Sequence, residues 1–176
     1  MLTLQRAFLD TPLGPMLALA SDEGLCALEF HAERRHVRLD ARLKRWFPPH
    51  EIVDGRPAFT EITARWLAGY FAGDNAVPPD VPLDLRGAPF ELQVWRALRT
   101  IPAGSTASYG AIARTVGSPD ASRAVGAANG ANPVSIIVPC HRVIGSDGSL
   151  VGYGGGIEKK KWLLNHEKRW SEGTLF

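Results

Sequence analysis

"SYGAIARTVGSPDASRAVGAANGANPVSIIVPCHRV", residues 108–143, is the stretch on which the fold and the chemistry of this chain turn. Its first half has the proportions of a helix-turn-helix. Ala111, Ile112 and Val116 supply apolar contacts at helical spacing, Gly117 ends the first helix, and Ser118-Pro119-Asp120 starts the second. A plain packed helical pair has the same pattern. A helix that reads the major groove carries Arg, Asn, Gln or Lys on its exposed face, whereas "ASRAVGAANGA" offers small residues and one charge, Arg123. Small side chains permit close approach in a narrow groove, and one long cation can enter the base stack beside an extruded base. Arg123 as an ordinary surface charge is the competing reading.

The second half carries the chemistry. Asn132-Pro133 marks a turn, Ile136-Ile137-Val138 is a buried-type segment, and Pro139 restricts the backbone just before Cys140. Structural cysteines sit mid-core and are inert. Cys140 stands instead at an apolar-to-polar junction beside His141 and Arg142, a setting that favours thiolate. Core filler, metal ligand and nucleophile are the three roles open to it. Zinc would need about four ligands, and Cys26 and the other four histidines form no Cys-x-x-Cys or His-x-x-x-His arrangement, so no metal is expected. A thiol hydrolase with a Cys–His–Asn or Cys–His–Glu set fits the nucleophile reading. Neighbours in an extended segment point to opposite sides, so His141 is expected to reach the Cys140 sulfur through a water. Glu167, in "NHEK", orients the imidazole if the last helix packs behind the site, and is otherwise a solvated carboxylate.

Further out, 176 residues suffice for one large core or two small ones. Hydrophobic residues at 45% and charged residues at 22% are ordinary for a globular chain. No apolar run approaches the ~18 residues of a membrane span, and "MLTLQRAFLDTPLG" lacks the pattern of a secretion signal. Two distant cysteines suit reduced thiols and a cytoplasmic location. Residues 1–85 hold 9 Lys+Arg and 12 Asp+Glu, residues 86–176 hold 11 and 6. A basic second half suits a polyanion, or is simply a solvated face.

Residues 1–31 alternate apolar segments with turn signals and read as an antiparallel meander, with a hairpin at Asp22-Glu23-Gly24. Val37, Leu39, Leu43, Trp46 and Phe47 predict a helix stopped by Pro48-Pro49. A short strand near Glu51–Asp54 follows, then a helix from Pro57 to about Ala72 burying Phe59, Ile62, Trp66, Leu67 and Tyr70. The proline-rich stretch 73–89 reads as an extended linker. Beyond it come helices, a glycine-rich hairpin and a final helix, "IEKKKWLLNHEK". The expected domains are 1–85 and 86–176.

The ordered set "SYG", "SRAVG", "NPV", "PCHRV", "GYGGG" and "WLLNHE" resembles the 6-O-alkylguanine-DNA alkyltransferases, also called methylated-DNA–protein-cysteine methyltransferases. The likeness is loose up to residue 85 and close from Phe90 to Lys168. It implies an α+β fold: a ribonuclease H-like α/β domain, then a mostly helical, winged-helix-like domain with a helix-turn-helix. It implies single-turnover repair, in which Cys140 takes the alkyl group of 6-O-methylguanine, and of 4-O-methylthymine as a second substrate, from a flipped-out base. On the same resemblance His141 acts through water as base, Glu167 orients it, and Asn132 braces the turn. Tyr109 pushes on the neighbouring phosphate and donates a hydrogen bond to the guanine. Arg123 fills the gap left by the base, with Ala121 and Ser122 beside it on the DNA. The carbonyls of Val143 and Cys140 receive the exocyclic amine, and Tyr153 and Gly154 close the pocket. The implied partner is double-stranded DNA approached from the minor groove. The protein is expected to act as a monomer without a cofactor, and cooperative binding on DNA is left open.

Two departures stand out. Several relatives have serine where Gly154 stands, and Cys26 lacks the cysteine partners of the structural zinc that some relatives bind in the N-terminal domain. Two cysteines also exclude the phosphotriester chemistry of relatives fused to a cysteine-rich domain. Two rival functions remain: a lesion sensor, which in the related non-enzymatic proteins has another residue at the nucleophile position, and a thiol hydrolase that needs no DNA.

Overall fold

The computed structural model describes residues 1–172 and divides into two compact units, Met1–Gly87 and Ala88 onward. The first is built on a four-stranded sheet of order β3-β2-β1-β4. Its strands are β1 (Leu2–Leu9), β2 (Met16–Ala20), β3 (Leu25–Phe30) and β4 (His50–Asp54). The meander β1-β2-β3 is antiparallel as the turn signals predict. β4 returns parallel to β1, pairing Leu4 with Ile52 and Arg6 with Asp54. Every residue of β2 and β3 is buried, Glu29 included, the latter paired with Arg35.

Helix α1 (Glu33–Trp46) opens with an acid and closes with Lys44 and Arg45, which suits the helix dipole. It buries Leu39, Leu43 and Trp46, but Val37 is 66% exposed, on the opposite face from the stripe that the sequence assigned it to. Helix α2 (Ala58–Ala72) ends on Gly73 at φ +86. It buries Trp66, Leu67 and Tyr70 as expected, while Phe59 and Ile62 stay half-buried and Thr60 and Thr63 take the inner positions. The two hydroxyls can go inside because each donates to a carbonyl of its own chain, Pro57 and Phe59.

The proline-rich stretch is not a free linker. Leu83 bridges to Leu25, the Leu25 N–H donates to Pro82 O at 2.9 Å, and Asp84 N–H returns to Leu25 O at 3.0 Å. Ser21 Oγ donates to Asp84 at 2.6 Å, and Trp66 Nε1 donates to Val77 O at 2.6 Å. Prolines confine this strap to one edge of the sheet because they cannot donate to a further strand. Arg86, placed by the sequence in the second domain, lies over the Phe47 ring and donates to Trp46 O, both in the first unit.

The second unit starts with α3 (Pro89–Leu98), where proline occupies the first turn and Glu91 accepts from the Ala88 N–H at 2.9 Å. Trp95, fully buried, donates its indole N–H to Ala128 O at 2.8 Å and joins α3 to α5. The helix pair is α4 (Tyr109–Thr115), capped by Ser108, and α5 (Ser122–Gly130). Ser118-Pro119-Asp120 does not start the second helix. Ala121 N–H bonds Ser118 O at 2.9 Å and closes a turn first, so α5 begins at Ser122. The expected glycine-rich hairpin is reduced to a turn, Gly145 N–H bonding Ser149 O at 2.8 Å and Gly148 N–H bonding Gly145 O at 2.9 Å, with no second strand. β6 (Val143–Ile144) pairs parallel with β5 (Ala107–Ser108), and residues 145–156 form an irregular loop ahead of α6 (Ile157–Glu172). No helix among the described residues is long and apolar enough to cross a membrane.

A Cβ on Gly24 would lie 2.5 Å from Pro82 O, so Gly24→Ala must push the strap off the sheet edge. The expected result is a loss of about 1–3 kcal/mol, with faster proteolytic cleavage within residues 73–87. Urea unfolding and limited proteolysis would show both.

Candidate active site

Between α5 and Cys140 the chain is wholly buried yet forms no strand. Ile137 N–H bonds Ser135 O at 2.9 Å, closing a three-residue turn on Ile136, whose φ is +71. A β-branched residue there is strained. Cys140 N–H bonds Val138 O at 2.8 Å, and Pro139 between them has φ −84 and ψ 63, an inverse γ-turn. Asn132 braces the chain on either side of the first turn. Its Oδ1 accepts from Val134 N–H at 3.0 Å and its Nδ2 donates to Val138 O at 2.7 Å.

Cys140–Arg142 is one turn of 3-10 helix, not the extended segment that the sequence suggested. The cause is Pro139, whose carbonyl accepts from the Arg142 N–H at 3.0 Å and curls the chain. Cys140 is 6% exposed and His141 fully buried. Glu167 on α6 is buried too and serves two partners. His141 Nε2 lies 2.8 Å from Oε1; Arg142 donates through Nη2 to Oε1 at 2.7 Å and through Nε to Oε2 at 2.8 Å. Arg142 Nη1 reaches Ile101 O at 2.6 Å.

Charge decides the tautomer. Burial pushes the Glu167 carboxyl up, but the hydrogen bonds from His141 and Arg142 and the guanidinium charge of Arg142 outweigh it and hold the group well below its ordinary 4.5. A carboxylate only accepts, so Nε2 carries the imidazole proton and Nδ1 keeps a lone pair. Nδ1 has no hydrogen-bond partner among the described residues. Burial lowers the His141 pKa, against the pull of Glu167, so the ring rests neutral. A neutral ring with its proton tied to a carboxylate and its other nitrogen bare is arranged as a base.

Tyr109 donates its hydroxyl to Val151 O at 3.0 Å. Burial, and then the nearby Cys140, raise its pKa above the usual 10. The Val143 carbonyl accepts from Lys160 Nζ at 2.6 Å, and the same ammonium reaches Val151 O and Gly152 O at 3.1 and 3.3 Å. Tyr153 is half-buried and Gly154 exposed. On α5, Arg123, Ala124, Ala127 and Gly130 form an exposed face of small residues around one cation, with Ala121 and Ser122 half-buried at its start. Thus Cys140, His141, Glu167, Asn132, Val143 and Tyr109 converge on one place. Arg123 stands on the open face, outside their hydrogen-bond network.

Three members of this neighbourhood lie outside the site read from sequence. The sequence sets Arg142 beside the thiol as a charge; the side chain turns to Glu167. Lys160 reads as one of three surface lysines, although its phase with Leu163 and Glu167 marks the inner face of α6. Asn129, in phase with Val125, is buried and donates Nδ2 to Cys140 O at 3.2 Å.

A cysteine followed on one 3-10 turn by a histidine that is bound to a buried carboxylate is the arrangement of a cysteine-nucleophile protein. Comparison with known proteins narrows the class. Residues 4–85 match the ribonuclease-like domain of 6-O-methylguanine DNA methyltransferase, and residues 89–169 match the DNA binding domain of the same family. A methylated-DNA–protein-cysteine methyltransferase of Salmonella typhimurium is 43% identical over 169 residues, 95% of this chain and 97% of that protein. One from Mycobacterium tuberculosis is 45% identical over 165 residues, 91% of this chain and 90% of that one. The crystal structure of Mycobacterium tuberculosis OGT in complex with DNA superposes with a TM-score of 0.77 at 42% identity, covering 94% of this chain and 92% of that one. The chain belongs to the 6-O-methylguanine DNA methyltransferase family.

Because the Glu167 carboxyl titrates lower in the folded chain than in the unfolded one, it stabilises the fold above about pH 4.5 and this contribution fades as pH falls below that. Glu167→Gln leaves Arg142 buried without its counter-charge. The expected cost at neutral pH is about 3–5 kcal/mol, with a shallower acid limb in a stability–pH profile by urea denaturation.

Proposed function

We propose that this protein repairs DNA directly, by moving the alkyl group of 6-O-alkylguanine, chiefly the methyl group, onto Cys140. The observation that carries the reading is the neutral His141, its proton held by Glu167 and its Nδ1 bare, following Cys140 on the same 3-10 turn. The thiol proton passes through a water to Nδ1. The thiolate then attacks the methyl carbon, the S–C bond forms as the C–O6 bond breaks, and the electron pair leaves on guanine. Guanine gains one proton for the one that the thiol lost. Tyr109, whose raised pKa keeps its hydroxyl protonated, donates a hydrogen bond to the departing base. The product is a thioether, which water does not cleave, so each molecule acts once.

Access to the base comes from α5. Its exposed face lacks the polar side chains of a major-groove reader, and its small residues suit the closer minor groove. Arg123 is the one long side chain there and takes the place of the extruded nucleotide. The relative solved in complex with DNA supports DNA as the partner. We assign the protein to the cytoplasm, acting as a monomer, a reading supported by two cysteines outside any disulfide.

A short duplex with a single 6-O-methylguanine tests this by intact and peptide mass. The expected outcome is one added methylene on the Cys140 peptide and one protein consumed per lesion, both abolished in Cys140→Ala. Binding without transfer would instead mark a lesion-binding protein, and turnover of many substrates a thiol hydrolase. Arg123→Ala should slow transfer from the duplex by about ten- to hundredfold while leaving reaction with the free base unchanged, since only the duplex must be unstacked.

A further inference from the structure

Helices α4 and α5 carry one cation each, Arg114 and Arg123, and no acid. Arg123 already has a place at the duplex; Arg114, on the first helix of the pair, has none. It stands in the last turn of α4, where a cation complements the carbonyl end of the helix dipole. Its side chain is exposed, and among the described residues it makes no ion pair, hydrogen bond or ring contact.

The dipole alone does not explain where the guanidinium lies. A Cβ on Gly110 would stand 3.6 Å from Arg114 Nη1, 3.8 Å from Ser122 Oγ and 3.9 Å from Ser108 Oγ. Arg114 therefore folds back one turn along α4, over the bare backbone of Gly110, and meets the first residue of α5 there. Ser108 Oγ is engaged as the cap of α4, accepting from the Ala111 N–H at 3.0 Å. Ser122 Oγ makes no hydrogen bond among the described residues, and Asp120, in the turn between the helices, pairs with neither group. Gly110 follows Tyr109 in the chain and Ser122 precedes Arg123. The guanidinium and the hydroxyl thus sit between the residue that pushes on the DNA backbone and the one that fills the gap in the stack. An uncommitted guanidinium beside a hydroxyl, above a glycine that holds nothing off, is a donor set for a phosphodiester.

We propose that Arg114 is a DNA-phosphate contact, its guanidinium and the Ser122 hydroxyl donating to one phosphodiester beside the extruded nucleotide. The inference rests on the reading given above, in which a base leaves the duplex between Tyr109 and Arg123. Arg123 fills the stack, and Arg114 fixes the backbone that turns by about 180° to deliver the base. A phosphate contact carries no sequence information, which suits a protein that meets its lesion in any sequence.

The test compares wild-type protein with Arg114→Gln in binding a short duplex that carries one 6-O-methylguanine, over a series of salt concentrations. Loss of one phosphate contact lowers the slope of log K against log salt by about 0.9, so between about 50 and 200 mM salt the wild type loses about three- to fourfold more affinity than the variant. Arg114→Lys, which keeps the charge, should restore the slope. Neutral methylphosphonates, put in one linkage at a time, then locate the contact. At one linkage next to the lesion, neutralisation should weaken the wild type and leave Arg114→Gln unaffected. Equal slopes for wild type and Arg114→Gln overturn the proposal, as do losses that add at every linkage; Arg114 then serves the α4 dipole alone, and its variant shows only a lower urea midpoint. If the slope and the linkage pattern hold but no methyl reaches Cys140, the alkyl-transfer reading fails and the phosphate contact stands. Wild-type protein that does not bind the duplex at all defeats both.

Discussion

The ionised carboxylate of Glu167, buried between Arg142 and His141, is the interaction on which the second unit depends. An isolated charge at that depth would be prohibitive, so the structure surrounds it. Arg142 grips both oxygens and is itself anchored to Ile101 O, which ties α6, the 3-10 turn and the end of α3 into one assembly. Only with that charge fixed does His141 Nε2 have to hold its proton and Nδ1 have to stay bare. Stability and reactivity thus share one ion cluster. The arginine that the sequence sets beside the thiol reaches it indirectly, through the carboxylate that sets the tautomer of histidine.

Around that cluster the backbone is strained where it presents the cysteine. The turn on Ile136 (135–137) and the inverse γ-turn on Pro139 (138–140) follow directly on one another, and Asn132 braces the chain at Val134, just before the first, and at Val138, in the second. Strain of this kind costs on the order of 1–3 kcal/mol for each unfavourable residue, and it persists here because every flanking side chain is buried. The result is a thiol carried on a rigid step at the wall of a domain. Tyr109 and Lys160 both hold the 145–156 loop at Val151, and Lys160 joins it to the Val143 carbonyl that follows the 3-10 turn. A nucleophile gains much from a fixed line of attack.

The sequence expectations that went astray share a physical origin. Val37 fits a helical stripe by count, yet it faces outward, and Thr60 and Thr63 take inner positions because their hydroxyls are satisfied by nearby carbonyls. The strap of residues 73–87 looks like a linker by composition, yet it is bonded along the edge of β3. Periodicity and composition record what a segment tolerates. They do not record whether a distant carbonyl or sheet edge will complete its hydrogen bonds.

What the sequence determined by itself was local and chemical: the antiparallel meander from its turns, the helix pair, the proline that places Cys140, the histidine beside it, and the poverty of polar side chains on α5. These follow from bonds between near neighbours and from residue type. Only the tertiary structure decided that Glu167 meets both His141 and Arg142, that Lys160 points inward, that Cys140–Arg142 curls instead of extending, and that Asn129 lies against the nucleophile with one oxygen unmet. Those facts join residues up to 26 positions apart through a buried, low-dielectric interior. A charge or an amide there takes its meaning from what surrounds it in space, and no spacing along the chain records that.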